Sequence, residues 1–255
     1  MSQNTFSEFF SQIYAERWPK LLAALQAKPR QEGLNPFGCA DEPYFLDAAS
    51  IVAARALPIS PGHAVLDLCA APGGKSLVLA ERIKDAGTLV ANERSATRRA
   101  RLKRVLEEYL PEELLRRVRI TGHDASKWCI YEKDAYDAIL LDAPCSSERH
   151  LIAQPKLLAE WTPNRTRFLA QRQYAMLASA LQVVRVDGHV LYATCSISPF
   201  ENDGVIEKLI KKRGEKISVI PPSAPFGEST RYGWLILPDT TEFGPLYFAL
   251  IKREC

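Results

Sequence analysis

Five short apolar runs that alternate with helix-like segments constrain the fold of this 255-residue chain more than any other feature. The runs are AVLDLCA, TLVANE, VRITGHD, AILLDAP and HVLYATC, and a polar or periodic segment follows each of them. Apolar side chains at helical spacing predict helices over 95–109 and 164–185, the second of which begins after Pro163. This alternation is typical of a parallel sheet with crossover helices. We therefore predict an α/β fold with a doubly wound, Rossmann-like sheet.

The start of the chain departs from this pattern. Residues 5–28 carry apolar side chains at helical spacing on both sides of Pro19, which predicts two short helices rather than one. The stretch 29–43 is loop-like. We therefore expect a helical N-terminal appendage over residues 1–43 and a Rossmann-like catalytic domain over residues 44–255.

The last part of the chain has a different order of predicted elements. A helical pattern over 200–212 ends at Gly214, and the segments ISVI, GWLILP and LYFALIKR follow. Turn residues separate these segments, but no long helix lies between the last two. The sequence therefore predicts that the mostly parallel sheet has an antiparallel end.

Charge and cysteine content restrict the class of protein. The chain has 33 Lys and Arg against 30 Asp and Glu, so its composition alone does not indicate a polyanion partner. Its six cysteines form no C-x-x-C pair and no short Cys/His cluster, so we expect neither a bound metal nor a disulfide framework. The chain shows no secretory signal layout and no apolar run of membrane-spanning length. We expect a soluble, cytoplasmic protein.

A glycine-bearing turn follows the first apolar run. A ligand can approach the backbone closely here and meet the positive end of a helix dipole. The spacing is neither G-x-G-x-x-G nor G-x-x-x-x-G-K-[ST], so a dinucleotide or Walker-type site is not indicated. A smaller adenosine ligand that carries a carboxylate fits better. The residues of this turn are Cys69, Ala70, Ala71, Pro72, Gly73, Gly74 and Lys75.

Two acidic residues stand at the ends of the next two predicted strands. Glu93 lies 19 residues after Gly74 (93 − 74), where an acid can accept hydrogen bonds from both ribose hydroxyls. Asp124 closes the third strand, within reach of an adenine edge. Either acid alone is more simply explained as a solvated carboxylate or a helix cap. Together with the turn, they mark three successive strand ends and indicate a binding crevice.

Two cysteines also follow predicted strands at this edge. A single strand-end cysteine is usually a small buried hydrophobe, and we expect that of Cys69, Cys129 and Cys255. Cys145 and Cys195 differ, because each lies among short hydroxyl residues where the crevice is expected. A reactive thiolate is expected in such surroundings.

A thiolate beside an adenosine site has a specific chemical use. Carbon 5 of cytosine is too weakly nucleophilic to attack a sulfonium methyl group, but addition of a thiolate to carbon 6 turns the ring into an enamine that can. Asp142, if it lies near the amidine edge of the base, could hold the ring and stabilise charge at nitrogen 3. A base must later remove the proton from carbon 5.

Three motifs resemble those of a known family. DLCAAPGGKS, LLDAPCSSERH and YATCSISPFEND are similar to the cofactor loop and the two cysteine motifs of the Sun or NSUN family of RNA cytosine-C5 methyltransferases. The resemblance runs from about Tyr44 to FGPLYFALIKR, in the family's order. It implies S-adenosylmethionine as cofactor, 5-methylcytidine as product, Cys195 as the nucleophile and Cys145 as the residue that helps product release. Without it the two cysteine roles stay open, since DNA cytosine methyltransferases use a Pro-Cys nucleophile.

The resemblance also implies which residues surround the reacting groups. It places Lys75, Glu93, Arg98, Asp124 and Asp142 around the cofactor and the target base, with Lys75 and Asp142 also counted as catalytic. Glu93 departs from the aspartate often found at its position. YFLDAAS, the Glu-Arg-His after the Pro-Cys motif and FGPLYF are most similar to the subgroup with a mitochondrial small-subunit ribosomal RNA enzyme and a mitochondrial transfer RNA enzyme.

RNA contact is expected close to the Pro-Cys motif. Arg149, His150 and Lys156 follow it, and phosphate contact explains them about as well as a solvated helix surface does. No separate RNA-binding module is recognisable, so specificity is expected to come from a folded RNA, a ribosomal particle or a helper protein. Ribosomal RNA is the first choice of substrate and transfer RNA the second.

Three other classes of protein make different demands on the sequence. A nicotinamide dehydrogenase requires a G-x-G-x-x-G turn that the chain lacks. An RNA-binding assembly factor that keeps only the fold predicts loss of one or both crevice cysteines, and both are present. A DNA cytosine methyltransferase is the nearest rival, and competition between RNA and DNA of equal sequence would distinguish it.

Overall fold

The computed structural model describes residues 2–83 and 86–255. Short 3₁₀ helices are formed by Ala15–Arg17, Ala125–Ile130 and Gly214–Lys216. The α-helices are α1 (Ser2–Tyr14), α2 (Trp18–Gln26), α3 (Ala48–Ala56), α4 (Gly74–Ile83), α5 (Ala96–Tyr109), α6 (Glu112–Leu115), α7 (Glu148–Ile152), α8 (Pro155–Ala159), α9 (Pro163–Val183) and α10 (Asp203–Arg213).

Within the described residues, the strands form one large sheet and one two-stranded sheet. The large sheet has the order β5-β4-β3-β6-β7-β11-β10-β9, and β8 also pairs with β11. The strands are β1 (Gln31–Leu34), β2 (Tyr44–Asp47), β3 (Ala64–Asp67), β4 (Thr88–Asn92), β5 (Val118–Thr121), β6 (Tyr136–Asp142), β7 (Val184–Thr194), β8 (Ile217–Ile220), β9 (Glu228–Ser229), β10 (Trp234–Ile236) and β11 (Leu246–Arg253).

The strand directions confirm the predicted sheet. The pairs β3·β4, β4·β5, β3·β6 and β6·β7 are parallel, whereas β11 runs antiparallel to β7, β8 and β10. The chain first builds outward from β3 through β4 to β5 and then returns to place β6 on the other side of β3. Strand order therefore reverses between β3 and β6, and ligands of open α/β sheets bind at the carboxyl ends of strands at such a switch point.

Alternate residues of the central strands pack into two hydrophobic clusters. In β3, Val65 belongs to one cluster and Leu66 to the other, and in β6 Leu140 and Leu141 divide in the same way. Because successive side chains of a strand point to opposite faces, the two clusters lie on opposite faces of the sheet. The core thus fixes the central strands from both sides and holds their carboxyl ends in place.

The two predicted N-terminal helices are confirmed, with Pro19 in the first turn of α2. Their aromatic side chains join the cluster on one face of the sheet, where Phe6 contacts Trp161 with ring centroids 5.0 Å apart. The stretch 29–43 was predicted as a loop, which is wrong for Gln31–Leu34, because these residues pair with β2 as a short antiparallel strand. This pairing depends on partners ten or more residues away rather than on local alternation.

Helix boundaries agree with the sequence patterns to within a few residues. The helix predicted over 95–109 is α5, and Ser95 caps it by accepting a hydrogen bond from Arg98 N. The helix predicted over 200–212 starts later, at Asp203, because residues 199–202 form a turn. In the described part of the chain, no helix combines the length and apolar character needed to cross a membrane.

Candidate active site

The glycine turn joins β3 to α4 at the carboxyl edge of the sheet. Gly73 has a φ of +125°, and a Cβ there would lie 2.8 Å from Val105 Cγ1 in α5, so only glycine fits this bend. Below the turn, Ser76 Oγ donates to Asp67 Oδ2 at 2.7 Å and ties the helix start to the strand end. Burial raises the pKa of Asp67 to about 7 despite this bond. A hydrogen bond therefore connects the two ends of the turn, the last residue of β3 and the first turn of α4.

Glu93 lies directly beside this turn. Its side chain is nearly buried, Ser95 N donates to its Oε1 at 2.8 Å, and Arg98 Nη1 lies 3.2 Å from its Oε2. Arg98 also donates from Nη2 to Ala71 O at 2.7 Å. Arg98 therefore links the acid at the end of β4 to the turn after β3, and cofactor contact by these residues stays a prediction.

Asp124 stands at the end of β5 and has a structural task as well. Its Oδ1 accepts from the backbone and the hydroxyl of Ser126, so it caps the 3₁₀ helix that follows, while Arg94 lies 3.3 Å from Oδ2. The Ser126 bonds lower the pKa of Asp124. A helix cap was one of the two explanations that the sequence left open for this acid, and its contact with an adenine stays a prediction.

Lys75 and Asp142 form an ion pair across the switch point between β3 and β6. Lys75 Nζ lies 2.7 Å from Asp142 Oδ2, and both side chains are partly or largely buried. Burial acts to lower the pKa of Lys75, but the attraction of Asp142 outweighs it and the pKa is raised. The pair is a fixed charge and hydrogen-bonding centre between the cofactor turn and the cysteines.

Cys145 and Cys195 come together at the ends of β6 and β7. Their Sγ atoms are 3.1 Å apart, and none of the six cysteines forms a disulfide. The hydrogen bond from Cys145, opposed by burial and assisted by Ser147, lowers the pKa of Cys195. The same bond and burial raise the pKa of Cys145 well above its usual value. The arrangement favours a thiolate on Cys195 next to a neutral thiol on Cys145.

Ser147 contributes to this thiol pair and was not predicted. It adopts the left-handed region, with φ 54° and ψ 63°, which is strained for a residue other than glycine. Its hydroxyl oxygen lies 3.4 Å from Cys195 Sγ. The sequence shows only a short run of serines here. The left-handed conformation of Ser147 could not be predicted, because the surrounding fold imposes it.

A cavity of about 470 Å³ opens in front of Cys195. Its volume lies within the range of small-molecule clefts. Six of the residues that line it bear on the chemistry: Lys75, Asp142, Ser147, Arg149, His150 and Cys195.

The three residues predicted to contact RNA separate in space. Arg149 and His150 line the cavity, whereas Lys156 does not. Arg149 also donates from Nε and Nη2 to carbonyl oxygens of residues 24, 25 and 27, at 2.8 to 3.2 Å, so its guanidinium caps the C-terminal end of α2. This structural role was not predicted, because its partners lie more than 120 residues away. RNA contact by all three residues stays a prediction.

The burial expected of Cys69, Cys129 and Cys255 is found only in part. Cys69 and Cys129 are partly buried, and burial raises the pKa of Cys69 well above its usual value. The expectation of a buried cysteine is wrong for Cys255, which is exposed. It lies beyond the end of β11, so no neighbouring strand or helix covers it.

Two buried glutamates behind the cysteines were also missed. Glu148 and Glu201 have no exposed surface, and both contact the hydroxyl of Ser146. Both lie in motifs that carry the family resemblance, LLDAPCSSERH and YATCSISPFEND. Their burial could not be anticipated, since an acid near a helix start is usually a solvated cap.

The fold and the site together define the class of protein, a methyltransferase with a Rossmann-like sheet. A family model described as 16S rRNA methyltransferase RsmB/F matches residues 54–252, which is more than half of the chain. The chain belongs to this family, and the resemblance to RNA cytosine-C5 methyltransferases is confirmed.

Curated relatives support the same placement. A protein of Bos taurus named 5-cytosine rRNA methyltransferase NSUN4 is 36% identical over 228 residues, which cover 82% of this chain and 59% of the relative. A mitochondrial tRNA (cytosine(34)-C(5))-methyltransferase of Danio rerio is 34% identical over 223 residues, with 82% and 60% covered. The chain thus spans about 60% of the length of these relatives.

Solved structures share the architecture. NSun6 from Pyrococcus horikoshii, crystallised with SFG, has a TM-score of 0.73 and 25% sequence identity, and the match covers 89% of this chain and 57% of that one. A methyltransferase homologue from Pyrococcus horikoshii has a TM-score of 0.75 at 20% identity, with 98% and 94% covered. The second likeness shows the fold alone.

Proposed function

We propose that this chain is an S-adenosylmethionine-dependent RNA cytosine-C5 methyltransferase that acts on ribosomal RNA through a covalent intermediate on Cys195. The observation that carries the proposal is the thiol pair, with Cys195 Sγ 3.1 Å from Cys145 Sγ and facing a cavity that also contains Lys75 and Asp142. A methyltransferase that acts on oxygen or nitrogen has no use for such a pair. Carbon 5 of a pyrimidine does require a nucleophile to activate it.

The residues at the carboxyl edge fit S-adenosylmethionine. The turn after β3 offers backbone at a glycine with positive φ, and carboxylates stand at the ends of β4, β5 and β6. Glu93 uses one lone pair of each oxygen for Ser95 N and Arg98 and retains acceptor capacity for two ribose hydroxyls. When bound, this cofactor supplies a methyl group on a positively charged sulfur.

The residues around the cavity can activate a cytosine. Attack of the Cys195 thiolate forms a bond from sulfur to carbon 6. The electrons of the C5–C6 double bond move to the C4–C5 bond, so the ring becomes an enamine and the negative charge of the thiolate passes to nitrogen 3. The ion pair of Lys75 and Asp142 lies beside Cys195, where Asp142 can hold the amidine edge of the base. Carbon 5 then takes the methyl group, and the bond from that methyl to the cofactor sulfur breaks.

Release of the product requires the bond between the Cys195 sulfur and carbon 6 to break. A base removes the proton from carbon 5, the C5–C6 double bond forms again, and Cys195 leaves as a thiolate. Cys145 is the titratable side chain in hydrogen-bond contact with Cys195, so it is placed to assist this step. The opposite pKa directions of the two thiols support Cys195 as nucleophile and Cys145 as assistant.

Replacement of Glu93 by Ala should weaken cofactor binding about 10- to 150-fold, because a hydrogen bond to a buried charged group contributes about 1.5 to 3 kcal/mol. Isothermal titration calorimetry with S-adenosylmethionine measures this directly. Glu107→Ala is the matched control, since Glu107 is half-exposed and pairs with Lys103 on the outer side of α5. Equal affinity in the two variants would contradict the role of Glu93.

Methyl transfer from labelled S-adenosylmethionine tests the proposed substrate. We expect label in 5-methylcytidine after digestion of small-subunit ribosomal RNA, offered free and as a ribosomal particle, and no label in DNA of equal sequence. Transfer RNA is the second candidate, supported by the 34% identity to the mitochondrial transfer RNA enzyme. Methylation of DNA in preference to RNA would contradict the proposal.

A further inference from the structure

Behind the two cysteines, Glu148 and Glu201 form a crossed connection between the loops that carry them. Glu148 follows Cys145 by three residues but accepts at Oε2 from Ile197 N, in the Cys195 loop, at 3.0 Å. Glu201 follows Cys195 by six residues but accepts at Oε2 from Ser146 N, in the Cys145 loop, at 3.0 Å. Each acid therefore holds the other cysteine's loop.

The serines that directly follow the two cysteines complete this connection. Ser146 Oγ and Ser196 Oγ lie 3.0 Å apart, and Ser196 Oγ is 3.2 Å from an oxygen of each carboxyl group. Ser146 Oγ also contacts both Glu148 Oε1 and Glu201 Oε1. All four side chains are buried. Four oxygen atoms from the two loops therefore meet away from water.

The number of protons in this group is limited. The hydroxyl of Ser146 has a single proton and can donate to one carboxyl oxygen only, so the contact with the other carboxyl requires a proton on that carboxyl. Among the described residues, no Lys or Arg forms an ion pair with Glu148 or Glu201. Two buried carboxylates in contact with one hydroxyl, without a cation, cannot both be ionised at low cost.

We infer that Glu148 and Glu201 are positioning residues that share one proton, and that this pair fixes the distance between Cys145 and Cys195. The inference deepens the proposed function and rests on it for the reaction that the cysteines perform. The proton belongs on Glu148 and the charge on Glu201, because Glu201 Oε2 accepts from two N–H donors, Ser146 N and Gln173 Nε2, at 3.0 and 2.7 Å. Glu148 Oε2 accepts from Ile197 N.

The electrostatic surroundings agree with this assignment. Burial, and then the charge of Glu201, raise the pKa of Glu148 to about 7. Burial also raises the pKa of Glu201, although its hydrogen bonds oppose the shift. The other titratable groups that face the pair are the hydroxyls of Tyr14 and Tyr192 and the two thiols, with Asp142 beyond them. None of the five is a cation.

The pH dependence of stability is the first test. A carboxyl group whose pKa is higher in the folded state stabilises the fold at low pH, and this stabilisation is lost as the pH rises from about 4.5 to about 7. Glu148→Gln removes the contribution of Glu148 to this pH dependence. The free energy of unfolding in urea should therefore depend less on pH over this range than in the wild type. Asp67 also has a raised pKa, and it contributes to the pH dependence of stability in both the wild type and the variant. An unchanged pH dependence in Glu148→Gln would overturn the shared proton.

The reactivity of Cys195 is the second test, and it needs neither RNA nor cofactor. In Glu201→Gln the Cys145 loop loses its charged acceptor, so the hydrogen bond between the thiols is weakened. We expect the apparent pKa of Cys195, read from the rate of iodoacetamide labelling by peptide mass spectrometry, to rise. A simple loss of negative charge near a thiol would lower that pKa instead. A fall would therefore overturn the positioning role.

Single-turnover methylation connects the pair to the reaction. Glu201→Gln should slow methyl transfer about 10- to 150-fold, the scale of a lost hydrogen bond to a charged acceptor, whereas Glu148→Gln should slow it less than about 10-fold. The matched control is Glu132→Gln, because Glu132 bonds Trp128, Tyr136 and Arg119 beside the starts of β3 and β4, at the opposite edge of the sheet. A reversed order of the two variants would overturn the placement of the proton on Glu148.

Failure of the pair and failure of the proposed function are distinguishable. The unfolding and labelling measurements report on the carboxyl pair in the free protein. If they fail while the wild type still methylates RNA, the pair is ordinary core structure and the proposed function stands.

Discussion

Cys195→Ala should bind S-adenosylmethionine with wild-type affinity and transfer no measurable methyl group to RNA. Without a thiolate to add to carbon 6, carbon 5 is never activated, and loss of a covalent nucleophile lowers turnover by roughly 10⁶-fold in a well-studied case. Filter binding of RNA labelled from the tritiated cofactor measures transfer, and calorimetry measures cofactor affinity.

The matched control for this prediction is Cys129→Ala. Cys129 is also partly buried, but it lies on the 3₁₀ helix after β5, where its backbone N–H donates to Ser179 in α9. This variant should methylate at the wild-type rate. Retention of even a tenth of the activity in Cys195→Ala would remove Cys195 from the chemistry.

Cys145→Ala should complete methyl transfer once and then stall with RNA attached to the enzyme. Loss of the hydrogen bond from Cys145 raises the pKa of Cys195 and slows the first half of the reaction without stopping it. Breaking the bond to carbon 6 is affected more, because it needs a proton-transferring group at the position Cys145 occupies, 3.1 Å from Cys195. Removal of a general acid or base typically costs about 10²- to 10⁴-fold, so steady turnover should fall by that factor.

The measurement for Cys145→Ala is the amount of methyl group transferred per enzyme over time. We expect an initial burst of about one methyl group transferred per enzyme molecule, followed by almost no further product. A slower but steady reaction without a burst would contradict the role of Cys145 in product release.

Most of the fold could be predicted because its determinants are local. The apolar runs that became β3 to β7 each lie between a turn and a helical pattern, and their order alone specifies a parallel sheet. The turn at Gly73 and Gly74 could also be predicted from the sequence, because glycine permits a tight turn into a helix. The acids and cysteines could be placed at one edge because parallel strands all end on the same side.

Other parts of the site depend on contacts between distant residues. Arg149 was expected at the RNA, but its guanidinium caps α2 through carbonyl groups more than 120 residues away. Tyr14, in the helices predicted as an appendage, donates its hydroxyl proton to Ile197 O in the Cys195 loop at 2.6 Å. The N-terminal helices therefore support both cysteine loops, which helical periodicity alone does not reveal.

Buried polar groups were the least predictable. Glu148 and Glu201 lie in motifs that carry the family resemblance, but nothing in the neighbouring sequence separates them from solvated acids near helix starts. What distinguishes them is the absence of exposed surface, together with the crossed hydrogen bonds to Ile197 and Ser146. Burial of this kind is a property of how two loops pack against each other, so it becomes visible only once the loops are placed.

Covalent catalysis by Cys195 is tested most directly by denaturing gel electrophoresis of labelled substrate RNA with the Cys145→Ala enzyme and cofactor, followed by mass spectrometry of the attached peptide. We predict a protein–RNA band that resists denaturation, with the nucleotide bonded to the peptide that contains Cys195. The Cys145→Ala, Cys195→Ala double variant should give no such band. An adduct that persists in Cys195→Ala but vanishes in Cys145→Ala would contradict this assignment and make Cys145 the nucleophile.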